Sequence, residues 1–191
     1  SVHDIRVNSC DTGIYVLGGG AHTHVTNNTI EECTTALYIN GSYDTVSGNT
    51  LASVHTGMLG APDNGTFDGN TIIADTSSND YGIYFSGFGS NIFSHNNISG
   101  FSIRGLWLDF VDPRTIITES ILTGNSYSIL VTGTSQTVIS NNVVDTSTSD
   151  AITLSADDSI VSGNTVTDTG STFFFSGIVV GGARNVISNN T

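Results

Sequence analysis

The sequence contains no lysine, and this absence limits the partners that the protein can bind. All four basic residues are arginines, and they face 17 acidic residues, so the formal net charge is −13. Nucleic acids and anionic membranes are bound through basic surfaces. The composition therefore predicts a protein that binds neither of them.

Helical periodicity and long apolar runs are also missing. No segment keeps apolar residues at a helical spacing for three turns, and no run is long and apolar enough for a transmembrane helix. We therefore expect a protein without helices that does not insert into a membrane.

An asparagine marks a repeat along the whole chain. Each copy reads apolar residue, two or three small polar residues, Asn, any residue, apolar residue, as in VTNNTI, VSGNTL and ISNNVV. The marked positions are Asn8, Asn28, Asn49, Asn70, Asn96, Ser120, Asn142, Asn164 and Asn190. Subtraction gives steps of 20 to 26 residues. Repeats of this length build solenoids, in which each repeat is stabilised by its neighbours.

A second feature repeats in step with the first. After each marker a small residue opens a short strand rich in Val, Ile and aromatic residues, as in GIYV, ALYI and GLWL. Such strands, separated by Gly, Asn, Asp, Ser and Thr, are typical of β structure. We predict an all-β fold, a right-handed single-stranded parallel β-helix of about eight rungs over residues 1–191, where one rung is one repeat. Neither end shows a polar cap, so we expect a fragment of a longer chain or a unit capped by other chains.

Two columns of apolar residues should fill the interior of this solenoid. The first contains Ile5, Val25, Val46, Phe67, Phe93, Ile117, Ile139, Val161 and Ile187. The second contains Ile14, Leu37, Met58, Ile83, Leu106, Ile129, Ile152 and Ile178. Cys10 and Cys33 follow their markers by different distances, which places them in different columns. We therefore predict two buried free thiols, with a disulfide as the alternative.

The strings of the form GI…N.I.gN.i resemble the parallel β-helix repeats of the pectin-lyase-like superfamily, and in particular the NosD-like and carbohydrate-binding or sugar-hydrolase repeats. The resemblance covers essentially all of the chain. It implies the fold more strongly than the function, because the superfamily includes polysaccharide lyases, glycosidases, epimerases, tailspikes, adhesins and periplasmic accessory proteins.

Length variation is confined to one edge of the predicted solenoid. The spacing from marker to second strand varies from 5 to 13 residues, whereas that from the strand to the next marker stays at 13 to 15. Variable loops on a rigid scaffold commonly carry function. Aligning the residues before the second strands places Arg104 between Tyr81 and Tyr127, with Asp80 and Asp75 in the loop beside them. Adjacent rungs stack about 4.8 Å apart, so we expect these side chains to be neighbours.

This edge would hold the catalytic residues if the protein were an enzyme. In lyases of the superfamily that the chain resembles, an Arg, Lys or Tyr removes the proton next to a uronate carboxylate. The catalytic candidates are Arg104, Tyr127, Asp80 and Asp109. Asp109 enters because it and Asp112 are close enough in sequence to form the carboxylate pair of a glycosidase. The alternative is that Arg104 only stacks on its aromatic neighbours and stabilises the edge.

An apolar stripe should lie on the outer face of the second strands. It contains Tyr15, Tyr38, Leu59, Tyr84, Trp107, Leu130, Thr153 and Val179. One interpretation is an aromatic platform for a glycan, formed by Tyr15, Tyr38, Tyr84 and Trp107 with Tyr81 beside them. The other is burial in a homotrimer or against flanking segments of the same polypeptide, because a bare stripe of this size would be adhesive.

Metal binding has weaker support in the sequence. His22 and His24 alternate on one strand with His3 in the rung below, which would suit a NosD-like metal accessory protein, although isolated surface histidines show the same pattern. Aspartate-rich turns are compatible with Ca²⁺, but no Asp-x-Asp-x-Asp motif specifies a site. We predict no metal site and no required cofactor.

The function that we predict is a polysaccharide-recognising module of an extracellular surface or spike-type protein. The alternatives are a lyase or hydrolase for acidic glycans and a NosD-like metal accessory protein. Aspartate exceeds glutamate and lysine is absent, a balance typical of haloarchaeal surfaces. We therefore expect a location on the cell or virion surface of a halophilic archaeon or its virus, with an ordinary acidic secreted protein as the alternative.

Overall fold

The protein is an all-β solenoid. The structure, a computed structural model, describes residues 1–18, 22–75, 80–87, 89–109, 113–170 and 175–191. These residues form 25 short strands, and no helix among them is long and apolar enough to cross a membrane. The strands lie in three sheets in which each strand pairs in parallel with those of the neighbouring repeats. The parallel β-helix predicted from the sequence is confirmed.

Each of eight rungs contributes one strand to each of three sheets, A, B and C, and the last strand adds a ninth strand to sheet A. The strands are numbered in chain order. Sheet A contains β1 (Val2–His3), β4 (His24–Thr26), β7 (Thr45–Ser47), β10 (Thr66–Asp68), β13 (Ile92–Ser94), β16 (Ile116–Thr118), β19 (Val138–Ser140), β22 (Ile160–Ser162) and β25 (Val186–Ser188). Sheet B contains β2 (Arg6–Asn8), β5 (Thr29–Glu31), β8 (Thr50–Val54), β11 (Thr71–Ala74), β14 (Asn97–Ser99), β17 (Ile121–Thr123), β20 (Val143–Asp145) and β23 (Thr165–Thr167). Sheet C contains β3 (Thr12–Val16), β6 (Thr35–Ile39), β9 (Thr56–Gly60), β12 (Tyr81–Ser86), β15 (Arg104–Asp109), β18 (Tyr127–Ser135), β21 (Ile152–Asp157) and β24 (Ile178–Gly181).

The marked asparagines form a buried ladder at the turn from sheet A to sheet B. The Asn49 side-chain amide donates to Asn70 Oδ1 at 2.9 Å and to the Val25 carbonyl at 2.9 Å. The Asn49 backbone N–H also donates to Asn70 Oδ1, at 3.1 Å. Ser120 continues the ladder, because its hydroxyl accepts a hydrogen bond from the Asn96 backbone N–H. The ladder predicted from Asn28 to Asn190 is thus present, and it satisfies polar groups that would otherwise be buried without partners.

The first rung departs from the predicted alignment by three residues. Ile5, not Asn8, occupies the ladder position, because the Ile5 backbone N–H donates to Asn28 Oδ1 at 3.1 Å. Asn8 lies in β2, and Val2 pairs with Val25. The first inward column therefore begins at Val2, and the predictions that Asn8 marks this rung and that Ile5 points inward are wrong. Ile5 is 40% exposed.

The same shift changes the outcome for the cysteines. Asn8 pairs with Glu31, which fixes an offset of 23 residues between the two rungs. Cys10 and Cys33 are separated by the same 23 residues and form a disulfide with a Cα–Cα distance of 4.5 Å. The prediction of two free thiols is wrong, because it depended on the misplaced marker.

The second inward column is confirmed from Ile14 to Ile178. The small residues that open the sheet C strands have a steric cause. A Cβ atom added to Gly82 would lie 2.3 Å from the Gly105 carbonyl oxygen and 2.5 Å from Ile98 Cγ2. Neighbouring rungs and the inward side chains of sheet B thus leave no room for a larger residue at this position.

A second set of polar side chains, which the repeat pattern did not predict, stabilises the turn from sheet C to sheet A. Asp44, Asn91 and Asn185 each accept a hydrogen bond from a backbone N–H of the rung before, at 2.7 to 2.9 Å. At the same turn the Ser159 hydroxyl accepts a hydrogen bond from the Thr137 backbone N–H. Asp, Asn and Ser thus share this role, and no single residue type marks the turn in every rung.

Candidate functional site

The candidate site follows the turns from sheet B to sheet C, which we call the B–C edge. This is the edge where the sequence predicts variable loop lengths. The strand register aligns Thr35, Thr56, Tyr81, Arg104 and Tyr127 at the starts of five consecutive sheet C strands. The predicted placement of Arg104 between two tyrosines is therefore present in the structure.

Arg104 lies over aromatic rings. Its Cζ atom is 3.9 Å from the ring centroid of Trp107 and 5.8 Å from that of Tyr127. The Trp107 ring is also stacked on Tyr84, with centroids 4.2 Å apart. Two groups so close to one centroid must occupy opposite faces of the indole. Trp107 is therefore held between a phenol ring and a guanidinium group, in a cation–π arrangement.

Tyr81 completes this cluster at the corner of the solenoid. Its ring is tilted by 32° to both Tyr84 and Trp107, with centroids 5.4 and 5.6 Å away. We call the following group the aromatic–arginine cluster: Tyr81, Tyr84, Arg104, Trp107 and Tyr127. All five side chains are partly exposed. The cluster presents ring edges, phenol hydroxyls and one cation on three adjacent rungs.

An acidic groove continues the B–C edge on the side of the earlier rungs. It has a volume of about 330 Å³ and is lined by Glu32, Cys33, Thr34, Ser53, His55 and Asp75. Its wall includes one half of the disulfide, which ties two rungs together beneath it. Hydroxyl, carboxylate and imidazole groups therefore line the groove.

His55 connects the groove to the aromatic–arginine cluster. Its Nε2 atom lies 3.4 Å from Asp75 Oδ2, and its Nδ1 atom lies 3.4 Å from Asp80 Oδ1. The side chain of Asp80 is only 1% exposed, and the next residue, Tyr81, donates its backbone N–H to the His55 carbonyl. The groove and the cluster are thus one continuous surface.

Asp80 and Asp75 lie at the edge where the sequence predicts them, whereas His55 and Glu32 were not predicted. His55 could have been predicted at this edge, because it directly precedes Thr56, which is a member of the aligned column. Glu32 lies in the short turn after β5, where nothing in the repeat distinguishes it.

Asp109 lies away from the other catalytic candidates. It ends β15, whereas Arg104 begins it, so the two are about 17 Å apart along the strand. The Thr132 hydroxyl donates a hydrogen bond to Asp109. Asp112, its predicted partner, lies outside the described residues. Arg104, Tyr127 and Asp80 therefore lie together at the B–C edge, whereas Asp109 lies at the opposite edge of sheet C, where its strands end.

The outer stripe of sheet C has the predicted register from Tyr15 to Val179. Tyr15 and Tyr38 are stacked face to face, with centroids 4.5 Å apart and planes within 7°. Tyr15 is 55% exposed, whereas Leu130 is 9% exposed. Because the rings cover one another's faces, the stripe presents mostly ring edges to solvent, and a continuous platform of open ring faces is not formed.

The predicted histidine group does not converge in the structure. His22 stacks on Tyr43, with ring centroids 5.3 Å apart, and His3 contacts Asp4 at 3.0 Å. Register pairs His3 with Thr26 rather than His24. No group of three or more His, Cys, Asp or Glu side chains in the described ranges is arranged to hold a metal ion.

Two charge clusters with shifted pKa values lie away from the B–C edge. His95 contacts Asp68 and Glu119, each at 2.8 Å, and the hydrogen bond to Asp68 raises the pKa of His95 above its ordinary value. Arg184 forms a bidentate ion pair with Asp158 and lowers the pKa of that carboxyl. Both clusters are on the surface, the first at the turns from sheet A to sheet B and the second at the turns from sheet C to sheet A.

The chain is similar in fold to known β-helix proteins. The Dettilon tailspike protein has 13% sequence identity and a TM-score of 0.59, and the match covers 98% of this chain and 48% of that one. The chain thus spans about half the length of the tailspike. An α-1,3-glucanase catalytic unit from Streptomyces thermodiastaticus has 14% identity, coverages of 90% and 49%, and a TM-score of 0.40. An alginate lyase from Paenibacillus sp. has 14% identity, coverages of 97% and 99%, and a TM-score of 0.38.

No match was found among curated protein sequences. One family model, described as periplasmic copper-binding protein (NosD), matches residues 1–110 and 40–191, so that its two overlapping matches cover the chain from end to end. The resemblance expected from the repeated strings is confirmed, and the chain belongs to the NosD family of parallel β-helix proteins.

Proposed function

We propose that the chain is a polysaccharide-recognising module that binds a glycan along the B–C edge. The observation that carries this proposal is the continuity between the acidic groove and the aromatic–arginine cluster. His55 and Tyr81 join the two, and the aligned column spans five rungs. At about 4.8 Å per rung, the edge is about 19 Å long, enough for several consecutive sugar units.

The chemistry of this surface suits sugars. Hydroxyl and carboxylate groups of the groove, among them those of Thr34, Ser53 and Asp75, can exchange hydrogen bonds with sugar hydroxyls. The partly exposed rings of Tyr81 and Tyr127 offer apolar contact together with a phenol hydroxyl. Sites for small ligands commonly combine apolar and aromatic walls with a few polar groups.

Copper binding, which is part of the description of the NosD family, does not fit the residues present. Both cysteines are in the disulfide, the single methionine is fully buried, and the histidines do not converge. All five histidines and both cysteines belong to the described residues. The thiolate, thioether and imidazole ligands that copper prefers are therefore not assembled in the part of the chain that the structure describes.

We place the module outside the cytosol, at a surface or in the periplasm. The disulfide between Cys10 and Cys33 supports this location, because disulfides persist in oxidising compartments. The family description also includes the word periplasmic.

Affinity electrophoresis against a panel of neutral and acidic polysaccharides tests the proposal. We expect retardation by at least one polysaccharide, and loss of at least about tenfold in affinity when Tyr81→Ser and Tyr127→Ser are combined, because tenfold corresponds to only about 1.4 kcal/mol. Tyr43→Ser is the matched control, since Tyr43 is 53% exposed and lies at the turn from sheet C to sheet A. No retardation by any polysaccharide, or equal losses in the control and the double variant, would contradict the proposal.

A further inference from the structure

We infer that Arg104 is the receptor for an acidic group on the glycan, so that the ligand is an acidic polysaccharide. This inference rests on the proposed function and narrows it to one substrate class. It concerns recognition and requires no catalytic step.

Arg104 differs from Arg6 and Arg184 in its ion pairing. Arg6 is paired with Glu31 at 2.7 Å, and Arg184 is paired with Asp158. Arg104 has no carboxylate within 4.0 Å among the residues that the structure describes. In a chain with 17 acidic and four basic residues, a carboxylate partner would be easy to supply. An arginine held instead by aromatic rings is positioned for an external anion.

The rings also restrict the guanidinium group. Its Cζ atom lies over Trp107 at 3.9 Å, and the Arg104 Nε atom is buried without a hydrogen-bond partner among the described residues. The side chain as a whole is partly exposed, so a ligand can reach it. A guanidinium whose plane is fixed in advance loses little freedom when it forms hydrogen bonds, and its N–H groups match the two oxygens of a carboxylate.

The rest of the surface determines what kind of anion can bind. With a net charge of −13, the protein repels densely charged polyanions such as nucleic acids. One arginine within an aromatic cluster suits a single acidic group flanked by uncharged sugar surface. The chemistry is therefore that of a sugar carrying one carboxylate or one sulfate ester at intervals along a chain.

Trp107 provides a direct readout at the site, because it is the single tryptophan of the chain and lies under Arg104. Its fluorescence is followed during titration with a uronate oligosaccharide and with the same oligosaccharide after reduction of its carboxyl groups. It is also followed with an oligosaccharide of neutral sugars that carries sulfate esters, and with the same oligosaccharide without them. We expect a saturable fluorescence change with at least one acidic ligand. The uncharged counterpart of that ligand, which is the carboxyl-reduced or the unsulfated form, should bind with an affinity at least about tenfold lower, which corresponds to about 1.4 kcal/mol. The two acidic ligands distinguish the carboxylate from the sulfate ester.

Substitutions at Arg104 complete the test. Arg104→Gln should lower the affinity for the acidic ligand about tenfold or more and leave the neutral form unaffected, and Arg104→Lys should recover part of it. Arg6→Gln is the control, since Arg6 is exposed and lies outside the edge. Thermal melting followed by circular dichroism confirms that each variant is folded.

The two proposals fail in different ways. If acidic and neutral forms bind equally well and Arg104→Gln changes neither, the inference about Arg104 is overturned while polysaccharide recognition stands. If none of the oligosaccharides binds and the polysaccharide panel is also negative, both are overturned.

Discussion

At the scale of single residues, the buried asparagine amides hold the rungs in register. Asn70 accepts two hydrogen bonds from Asn49 and donates to the Val46 carbonyl and to Asn96 Oδ1. Asn70→Ala would leave several of these groups buried without partners, each costing about 1–3 kcal/mol. We expect the free energy of unfolding to fall by on the order of 3 kcal/mol, measured by denaturant unfolding.

The matched control for this prediction is Asn97→Ala. Asn97 begins β14 in the next rung, and its side chain is exposed. Its replacement by Ala should therefore change the free energy of unfolding by less than about 0.5 kcal/mol. Equal effects of the two substitutions would show that the ladder does not contribute to stability as described.

The His95 cluster predicts a pH dependence with a definite sign. Because Asp68 raises the pKa of His95, the protonated imidazole stabilises the fold at low pH, and this contribution is lost as the pH rises through the raised pKa. The pKa of Asp68 is lowered, first by Ser94 and then by His95, so its contribution is lost only as the pH falls through that lowered value. Both contributions are present together between these two pKa values.

NMR titration of the His95 ring measures this directly. We expect a pKa above the ordinary value of about 6.5 in the unmodified protein and a lower pKa in Asp68→Asn, because the substitution removes the acceptor and its charge. The His22 ring has no carboxylate contact among the described residues and serves as the internal control. A His95 pKa that does not respond to Asp68→Asn would contradict the assigned cause.

Most residue positions in the core could be predicted because the ladder and the inward columns repeat the same chemistry in each rung. The alignment predicted for the first rung was wrong because Ile5 occupies the position of the ladder asparagine, whereas Asn8, three residues later, matches the repeat pattern in sequence alone. An isolated sequence letter cannot distinguish the two, since the difference depends on which backbone N–H faces Asn28.

At the scale of strands and turns, the disulfide connects the first two B–C turns. Closing a loop of about two dozen residues stabilises a protein by about 3 kcal/mol in the chain-entropy model. We expect Cys10→Ser combined with Cys33→Ser to lower the free energy of unfolding by about this amount and to increase hydrogen exchange in β1 to β3.

Hydrogen exchange in the later rungs provides the comparison for this prediction. Strands β16 to β20 lie several rungs away and contact only their own neighbours, so their protection should change less. A uniform loss of protection along the whole chain would contradict the local role of the disulfide.

The B–C edge could be predicted as a location but not in its detail. Loop lengths indicated the edge, and the aligned column brought Arg104 between Tyr81 and Tyr127. The stacking of rings on one another could not be foreseen, because it depends on side-chain torsions rather than on spacing. It changes the interpretation of Trp107 from an open platform to a ring covered on both faces.

At the scale of the whole molecule, the net charge of −13 predicts an unusual response to salt. Sites that attract anions through many basic groups weaken as salt rises. Here the long-range field repels an acidic glycan, and salt screens that field more than it screens the partly buried contact with Arg104. We expect affinity for a uronate oligosaccharide to increase between about 0.05 and about 0.5 M NaCl, as the Debye length shortens.

The predicted increase in affinity with salt is measured by titrating the protein with the uronate oligosaccharide at several salt concentrations and following the fluorescence of Trp107. The carboxyl-reduced oligosaccharide is the control, and its affinity should stay nearly constant over the same range. A steady loss of affinity for the acidic ligand as salt rises would contradict the balance of charges proposed for the site.

The central claim is that a polysaccharide binds along the B–C edge, and a single spectrum comparison tests it most directly. At 19.9 kDa the chain is small enough for backbone amide NMR with and without a saturating oligosaccharide that binds. We predict that the perturbed amides cluster from Thr34 to Tyr127 along this edge, with the largest changes at Tyr81 and Arg104. Perturbations centred on sheet A or at the ends of the solenoid, with the edge unchanged, would contradict the account.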